Sequence, residues 1–247
     1  MIHDVVPLGG SDATLTCYVH GRAPKLANVG TRPAVLVLPG GGYEHCSDRE
    51  SEPVALALAG AGYHTFVLRY SVADAGTWPN PLRDAETALA VIAGRAGEWG
   101  VDADRIAMLG FSAGGHLAAS TALLGARRPA ALLLGYAVTT TETLRLCHPG
   151  VRAAPDLLAA VDGSCPPAFI FHTCDDDVAP VTDSLSLAER LAAARVPFEL
   201  HVFPTGVHGL SLATGLTSTG RPEMVNPSVA RWLGLAVDWL HARLPVG

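Results

Sequence analysis

The chain has 247 residues, 49% of them hydrophobic, and a formal net charge of −6, enough apolar material for one large core in a single soluble domain spanning residues 1–247. Lysine and arginine total only 17 and are scattered, so nucleic acid and anionic membrane are poor candidate partners. Met1–Pro7 lacks a basic stretch followed by an apolar one, and no apolar run approaches the roughly 18 residues of a membrane span, so a cytoplasmic location is expected.

Five cysteines, Cys17, Cys46, Cys147, Cys165 and Cys174, are an odd count without C-x-x-C spacing. That argues against a disulfide framework or a zinc ribbon and fits a reducing compartment. None of the ten histidines falls in an H-E-x-x-H pattern, and neither a metal nor a cofactor is expected.

In chain order, Leu15–His20 alternates weakly and reads as an early edge strand, with Gly21–Pro24 as the break after it. Ala34–Leu38 is continuously apolar between Pro33 and Pro39, the mark of a strand covered on both faces. After Pro39-Gly40-Gly41-Gly42-Tyr43, a helix is predicted from about Glu50 to Ala59, ending at Gly60-Ala61-Gly62. The rhythm repeats with a strand at His64–Tyr70 and a helix at Pro81–Ile92, proline in its first turn. Ile106–Leu109 is the next strand, followed by Gly110-Phe111-Ser112-Ala113-Gly114-Gly115-His116 and the helix-prone Leu117–Leu124. Ala130–Gly135, Ala168–His172 and Phe198–Phe203 read as further strands. Helices near Ser184–Ala194 and Ser228–Arg243 fill the gaps. Alternating elements of these lengths predict an α/β fold, a mostly parallel doubly wound sheet with helices on both faces.

Two segments break the rhythm. Tyr136–Pro167 is a long connection with one short helical piece at Pro155–Val161, and Gly209–Pro227 is rich in Gly, Ser and Thr. Loops this long in a compact domain commonly shape a binding site.

The chemistry gathers where strands end. Gly110 to Gly114 matches G-x-S-x-G between a strand and a helix, the setting of a nucleophile elbow, with Ser112 as the nucleophile. Alone the pattern is weak, because Gly and Ser are common turn residues. Acyl transfer also needs a base, an acid that orients the base, and N–H donors for the oxyanion. Gly40–Gly42 supply bare amides after the first buried strand, with Gly41 and Gly42 the expected pair and Ala113 the third donor. The acid belongs on Thr173–Pro180 after a later strand. Three adjacent carboxylates cannot all be buried beside one imidazole, and spacing to Pro180 favours Asp176, with Asp175 and Asp177 as alternatives. His208, on the Gly206–Gly209 turn after the last strand, completes the chain order Ser, Asp, His. His116, His172 and His201 read as hydrogen-bonding structural histidines, Asp84 as a first-turn helix carboxylate able to anchor a loop, and Cys174 as structural.

Taken together, Pro39–Tyr43, Ser47–Glu50, Phe66–Ser71, Pro81–Asp84, Asp104–Ile106, Gly110–Ala118, His172–Pro180 and Phe203–Gly209 resemble the bacterial α/β-hydrolase esterases of the acetyl-xylan-esterase-like and feruloyl-esterase-like kind, related to the hormone-sensitive-lipase-like group. The resemblance implies an α/β-hydrolase fold, a small-molecule ester as substrate, acetylated carbohydrate among the options, and a triad of Ser112, Asp176 and His208. Two positions depart from the pattern. Pro39 replaces a histidine common before the glycines, which implies a missing side-chain brace for the oxyanion loop, and Ala179 replaces the usual valine before Pro180. With about thirty residues before Ala34, a minimal cap and a preference for short acyl groups are expected. An amidase or arylformamidase, a small peptidase of the same fold, and a non-catalytic binding module are the rival readings. Neither the oligomeric state nor the natural alcohol is legible.

Overall fold

The structure, a computed structural model, describes residues 1–22 and 25–247. Of the break expected at Gly21–Pro24, positions 23 and 24 lie outside the described residues. Among the described residues eight strands form one sheet in the order β1-β2-β4-β3-β5-β6-β7-β8. They are β1 (Ile2–Pro7), β2 (Thr14–Val19), β3 (Arg32–Leu38), β4 (His64–Arg69), β5 (Val101–Phe111), β6 (Ala131–Gly135), β7 (Ala168–Thr173) and β8 (Phe198–Phe203). Only β1 with β2 and β2 with β4 pair antiparallel; β3 through β8 run parallel.

Strand β3 shows why the sheet sits at the centre. Its side chains alternate between two cores, with Ala34, Leu36 and Leu38 on one face and Val35 and Val37 on the other, all fully buried. A strand with both faces covered has no polar side to show, hence the unbroken apolar run. Helices α1 (Glu52–Gly60) and α8 (Trp232–Arg243) cover the valine face, the latter with Trp232, Ala236, Trp239 and Leu240. Helices α2 (Asn80–Gly94), α3 (Ala96–Trp99), α4 (Ser112–Leu124), α6 (Leu157–Ala160) and α7 (Thr182–Ala193) line the other face, with α5 (Thr141–Leu144) beside them. Helix α2 buries Pro81, Ala85, Ala88, Leu89 and Ile92, a stripe at helical spacing. Helix α4 is buried on every side from Ser112 to Ala122; its small residues admit close neighbours all round.

Three expectations change. The strand expected at the edge, β2, is paired on both sides, because Met1–Pro7 contains the true edge strand β1, whose residues are mostly exposed and so lack a buried alternation to reveal it. Glu50 does not open α1; it ends a 3-10 turn at Asp48–Glu50 and points inward, only 2% exposed. Helix α2 begins at Asn80, which places Asp84 beyond the first turn. Its buried carboxylate does anchor loops: it accepts the Ser71 amide at 2.8 Å and the Ser11 hydroxyl at 2.7 Å. No described helix is long and apolar enough to cross a membrane.

At the β5–α4 turn backbone packs directly on backbone. A Cβ on Gly110 would lie 2.2 Å from the Gly114 carbonyl oxygen, and one on Gly114 would lie 2.2 Å from the Leu38 oxygen and 2.3 Å from that of Pro39. These collisions are backbone against backbone, so no side-chain rotation relieves them. Gly110→Ala is expected to lower the unfolding free energy by roughly 3 kcal/mol. Gly94→Ala, in open space at the end of α2, is expected to leave it unchanged or raise it by about 0.5 kcal/mol. Urea unfolding of both variants checks the contrast.

Candidate active site

All the residues singled out for chemistry stand beyond the carboxyl ends of the parallel strands, where open α/β sheets bind ligands. Gly40–Gly42 follow β3, Ser112 follows β5, Asp176 follows β7 and His208 follows β8. Ser112 is the first residue of α4 and has φ +52°, a left-handed value that costs a non-glycine residue about 1 kcal/mol or more. The strained turn lifts its hydroxyl out of the helix toward the loops.

Ser112, His208 and Asp176 form one hydrogen-bonded row. His208 Nε2 lies 2.9 Å from Ser112 Oγ, and Nδ1 lies 2.8 Å from Asp176 Oδ2. An ionised carboxylate can only accept, so Nδ1 carries the proton and Nε2 is left to accept from the serine hydroxyl. Burial pushes the Asp176 carboxyl up, but bonds from His172, His208 and the Ala179 amide outweigh it and hold the group well below the usual carboxylate range.

The neighbouring acids divide as electrostatics requires. Asp176 is buried, its Oδ1 accepting the amides of Val178 at 3.0 Å and Ala179 at 2.9 Å. Asp175 and Asp177 are exposed, and Asp175 accepts the Gly206 amide at 2.7 Å, tying the acid loop to the histidine loop. His172 buttresses the same turn: one ring nitrogen bonds the Ala179 carbonyl at 2.8 Å, the other the Ser184 hydroxyl at 2.7 Å. Its Nε2 also stands 3.5 Å from Asp176 Oδ2. His116 meets the Tyr43 hydroxyl at 2.8 Å, and burial pushes its imidazole down to about 4, so it is uncharged near neutrality. His201 pairs with Glu199 at 2.7 Å. Cys174 is exposed, contrary to the structural role expected of it; it lies on the loop just past β7, where the buried strand pattern has ended.

The glycine loop is braced, contrary to the expectation drawn from Pro39. The Tyr70 hydroxyl donates to the Pro39 carbonyl at 2.6 Å, and the Gly40 amide donates to Glu50 Oε2 at 2.8 Å. Gly41 and Gly42 take φ values of +126° and +63°, and a Cβ on Gly41 would lie 2.1 Å from the His45 carbonyl oxygen. Among the described residues nothing in the protein accepts from the amides of Gly41 or Gly42. The Ala113 amide belongs to the first turn of α4, whose N–H groups have no intrahelical partner.

These groups border a cavity of about 210 Å³. Its walls include Gly41, Gly42, Ser112 and His208, together with Val138, Thr143, Leu146 and Cys147 from the β6–β7 connection and Val178 from the acid loop. Leu146 is 74% exposed and Val178 51%, so the mouth has an apolar rim. A larger open groove of about 840 Å³, between the β1–β2 turn and α2, touches none of the row. The β6–β7 connection is pinned by Asp183, a buried carboxylate that accepts the Thr139 amide at 2.7 Å and the hydroxyls of Thr140 and Thr143 at 2.9 Å each. Sequence reasoning missed Glu50, Tyr136 and Asp183. The one signal for them was position, since Tyr136 directly follows a buried strand on the functional edge.

Comparison with known proteins bears on the family and the fold. The dienelactone hydrolase family model matches residues 80–221, and the BD-FAE model matches residues 23–129. The crystal structure of MGS-M1, an alpha/beta hydrolase enzyme from a Medee basin deep-sea metagenome library, is 41% identical. It superposes with a TM-score of 0.91 over 98% of this chain and 97% of that one. The acetyl ester-xyloside bifunctional hydrolase of Caldicellulosiruptor lactoaceticus is 30% identical, with a TM-score of 0.80 over 97% and 96% of the two chains. Endo-1,4-beta-xylanase B of Butyrivibrio fibrisolvens is 32% identical over 81% of this chain and 35% of its own length. The chain spans between 35% and 58% of the length of the curated relatives it matches. With a family model matched over more than half its length and the fold shared almost end to end, the chain belongs to the dienelactone hydrolase family and has the α/β-hydrolase fold.

Proposed function

We propose that the protein is a serine carboxylesterase of short-chain, acetyl-type esters, acetylated carbohydrates among them, acting in the cytoplasm as a single domain of residues 1–247. The observation that carries this reading is the row Ser112–His208–Asp176, with contacts of 2.9 and 2.8 Å, beside the amides of Gly41 and Gly42, which have no acceptor among the described residues. The neighbours named as an acetyl ester-xyloside hydrolase and as acetylxylan esterase support the choice of acyl group. The odd number of thiols supports the compartment.

In this mechanism Ser112 Oγ attacks the ester carbonyl carbon while His208 Nε2 takes the hydroxyl proton. Asp176 holds Nδ1–H and stabilises the imidazolium as it forms. The carbonyl oxygen becomes an oxyanion held by the amides of Gly41, Gly42 and Ala113, fixed dipoles that need no reorganisation during the reaction. His208 then delivers its proton to the departing alkoxide, leaving an acyl group on Ser112. Water, deprotonated by the same nitrogen, attacks the acyl carbon; the acyl–Oγ bond then breaks, His208 returns the proton to Ser112 Oγ, and the carboxylic acid leaves. The small cavity suits an acetyl group better than a long chain. The same groups would serve an amide, so N-formylkynurenine and peptide anilides assayed beside acetyl esters separate the amidase readings. Labelling of Ser112 by a fluorophosphonate separates catalysis from a binding module.

Ser112→Ala is expected to lower the turnover of p-nitrophenyl acetate by roughly 10⁴-fold or more; near-wild-type turnover would sink the assignment. Across p-nitrophenyl esters, kcat/KM is expected to fall from acetyl to octanoyl, and the reverse order would overturn the short-acyl preference. Asp176 ionises at lower pH in the folded than in the unfolded chain, so its contribution to stability is full above the unfolded carboxylate range near pH ~4 and is lost as pH falls. Asp176→Asn should therefore flatten the acid limb of the stability profile and lower kcat by roughly 10⁴-fold, as read by pH-dependent melting and steady-state kinetics.

A further inference from the structure

Beneath the glycine loop lies a buried carboxylate that the reaction does not consume. Glu50 is 2% exposed, and its oxygens face two different parts of the site. Oε2 accepts the Gly40 amide at 2.8 Å, and Oε1 accepts the Tyr136 hydroxyl at 2.6 Å. The Tyr136 oxygen in turn accepts the Ser211 amide at 2.9 Å, three residues after His208. Ser211 Oγ donates back to the Arg49 carbonyl at 2.5 Å, and its own carbonyl accepts from the Trp232 indole at 2.8 Å. The Tyr136 ring packs edge-on to the His208 imidazole, 5.1 Å between centroids at 70°.

The contacts call for an acceptor on each side. Gly40 offers only N–H to Oε2, and the Tyr136 hydroxyl donates to Oε1 while its oxygen accepts from Ser211. A glutamine in place of Glu50 would turn an N–H toward one of these two donors. Glu50 also takes the Gly40 amide out of contention for the oxyanion, leaving those of Gly41 and Gly42 to face the cavity.

We propose that Glu50 is a positioning residue that sets the oxyanion loop and the His208 loop in register with each other, directly at Gly40 and through Tyr136 at Ser211. The inference rests on the esterase reading for its chemistry but not for its test. Four variants, Glu50→Gln, Tyr136→Phe, the double variant and Asp84→Asn, are assayed for p-nitrophenyl acetate hydrolysis and for the rate of Ser112 labelling by a fluorophosphonate. The temperature is one at which thermal melts show each folded. Asp84→Asn disturbs a buried carboxylate of similar burial outside the row and controls for general loosening. Glu50→Gln is expected to lower kcat and the labelling rate together by about 10- to 100-fold with KM within about threefold, as small misplacements of reacting groups do. Tyr136→Phe should show a smaller loss, the double variant should be no slower than Glu50→Gln, and Asp84→Asn should keep both rates. Glu50→Gln rates within twofold of wild type, losses that multiply in the double variant, or an equal loss in Asp84→Asn would overturn the inference. Should Glu50→Gln fail to fold, unchanged labelling of Tyr136→Phe would overturn it. Wild type that labels but cleaves no ester would overturn the esterase reading instead, and the labelling rates would still decide the role of Glu50.

Discussion

The close approach of backbone to backbone at the end of β5 governs the site. Where Gly114 passes the carbonyls of Leu38 and Pro39 there is no room for a Cβ, so the first turn of α4 is pressed against the start of the glycine loop. That contact brings the Ser112 hydroxyl, the Ala113 amide and the amides of Gly41 and Gly42 to one place. A helix displaced by a single methyl group would separate the Ser112 hydroxyl from the glycine-loop amides, and the strain at Ser112 persists because the packing around α4 leaves it nowhere to relax.

From that fixed point outward, loops are held by buried acids. Glu50 holds the glycine loop, Asp183 the β6–β7 connection and Asp176 the turn that faces His208. Each accepts from N–H or O–H donors that include at least one from a separate segment of the chain. Irregular backbone at the end of a sheet has amides that no ladder uses, and a short acidic side chain satisfies them while joining two segments. The β6–β7 connection can thus be long and largely without regular structure yet still present Val138, Thr143 and Cys147 at definite places in the cavity wall.

The parts of this arrangement that follow from local pattern were legible in the sequence. Ala34–Leu38 announced a doubly covered strand because burial on both faces leaves no polar alternation, and Gly110–Gly114 announced a tight turn because only glycine fits. His208 was legible from its place after the last strand rather than from its neighbours. What depends on contacts between distant segments was not legible. Glu50 reads as the start of a helix until Tyr136, 86 residues later, is seen to meet it. The departure at Pro39 suggested a missing brace because the carboxylate and tyrosine that supply one are far from the motif. Strand β1 escaped notice because an exposed edge has no inward face to pattern.

The buried acids bear on how the site responds to its solution. Arginine–carboxylate pairs such as Arg69 with Asp48, Arg95 with Glu98 and Arg221 with Glu223 lie at the surface, where dissolved ions screen them. Among the described residues Glu50 and Asp183 have no such partner and are satisfied by neutral donors away from solvent. Dissolved ions therefore screen the outer surface of the molecule far more than the buried contacts that space the loops around Ser112.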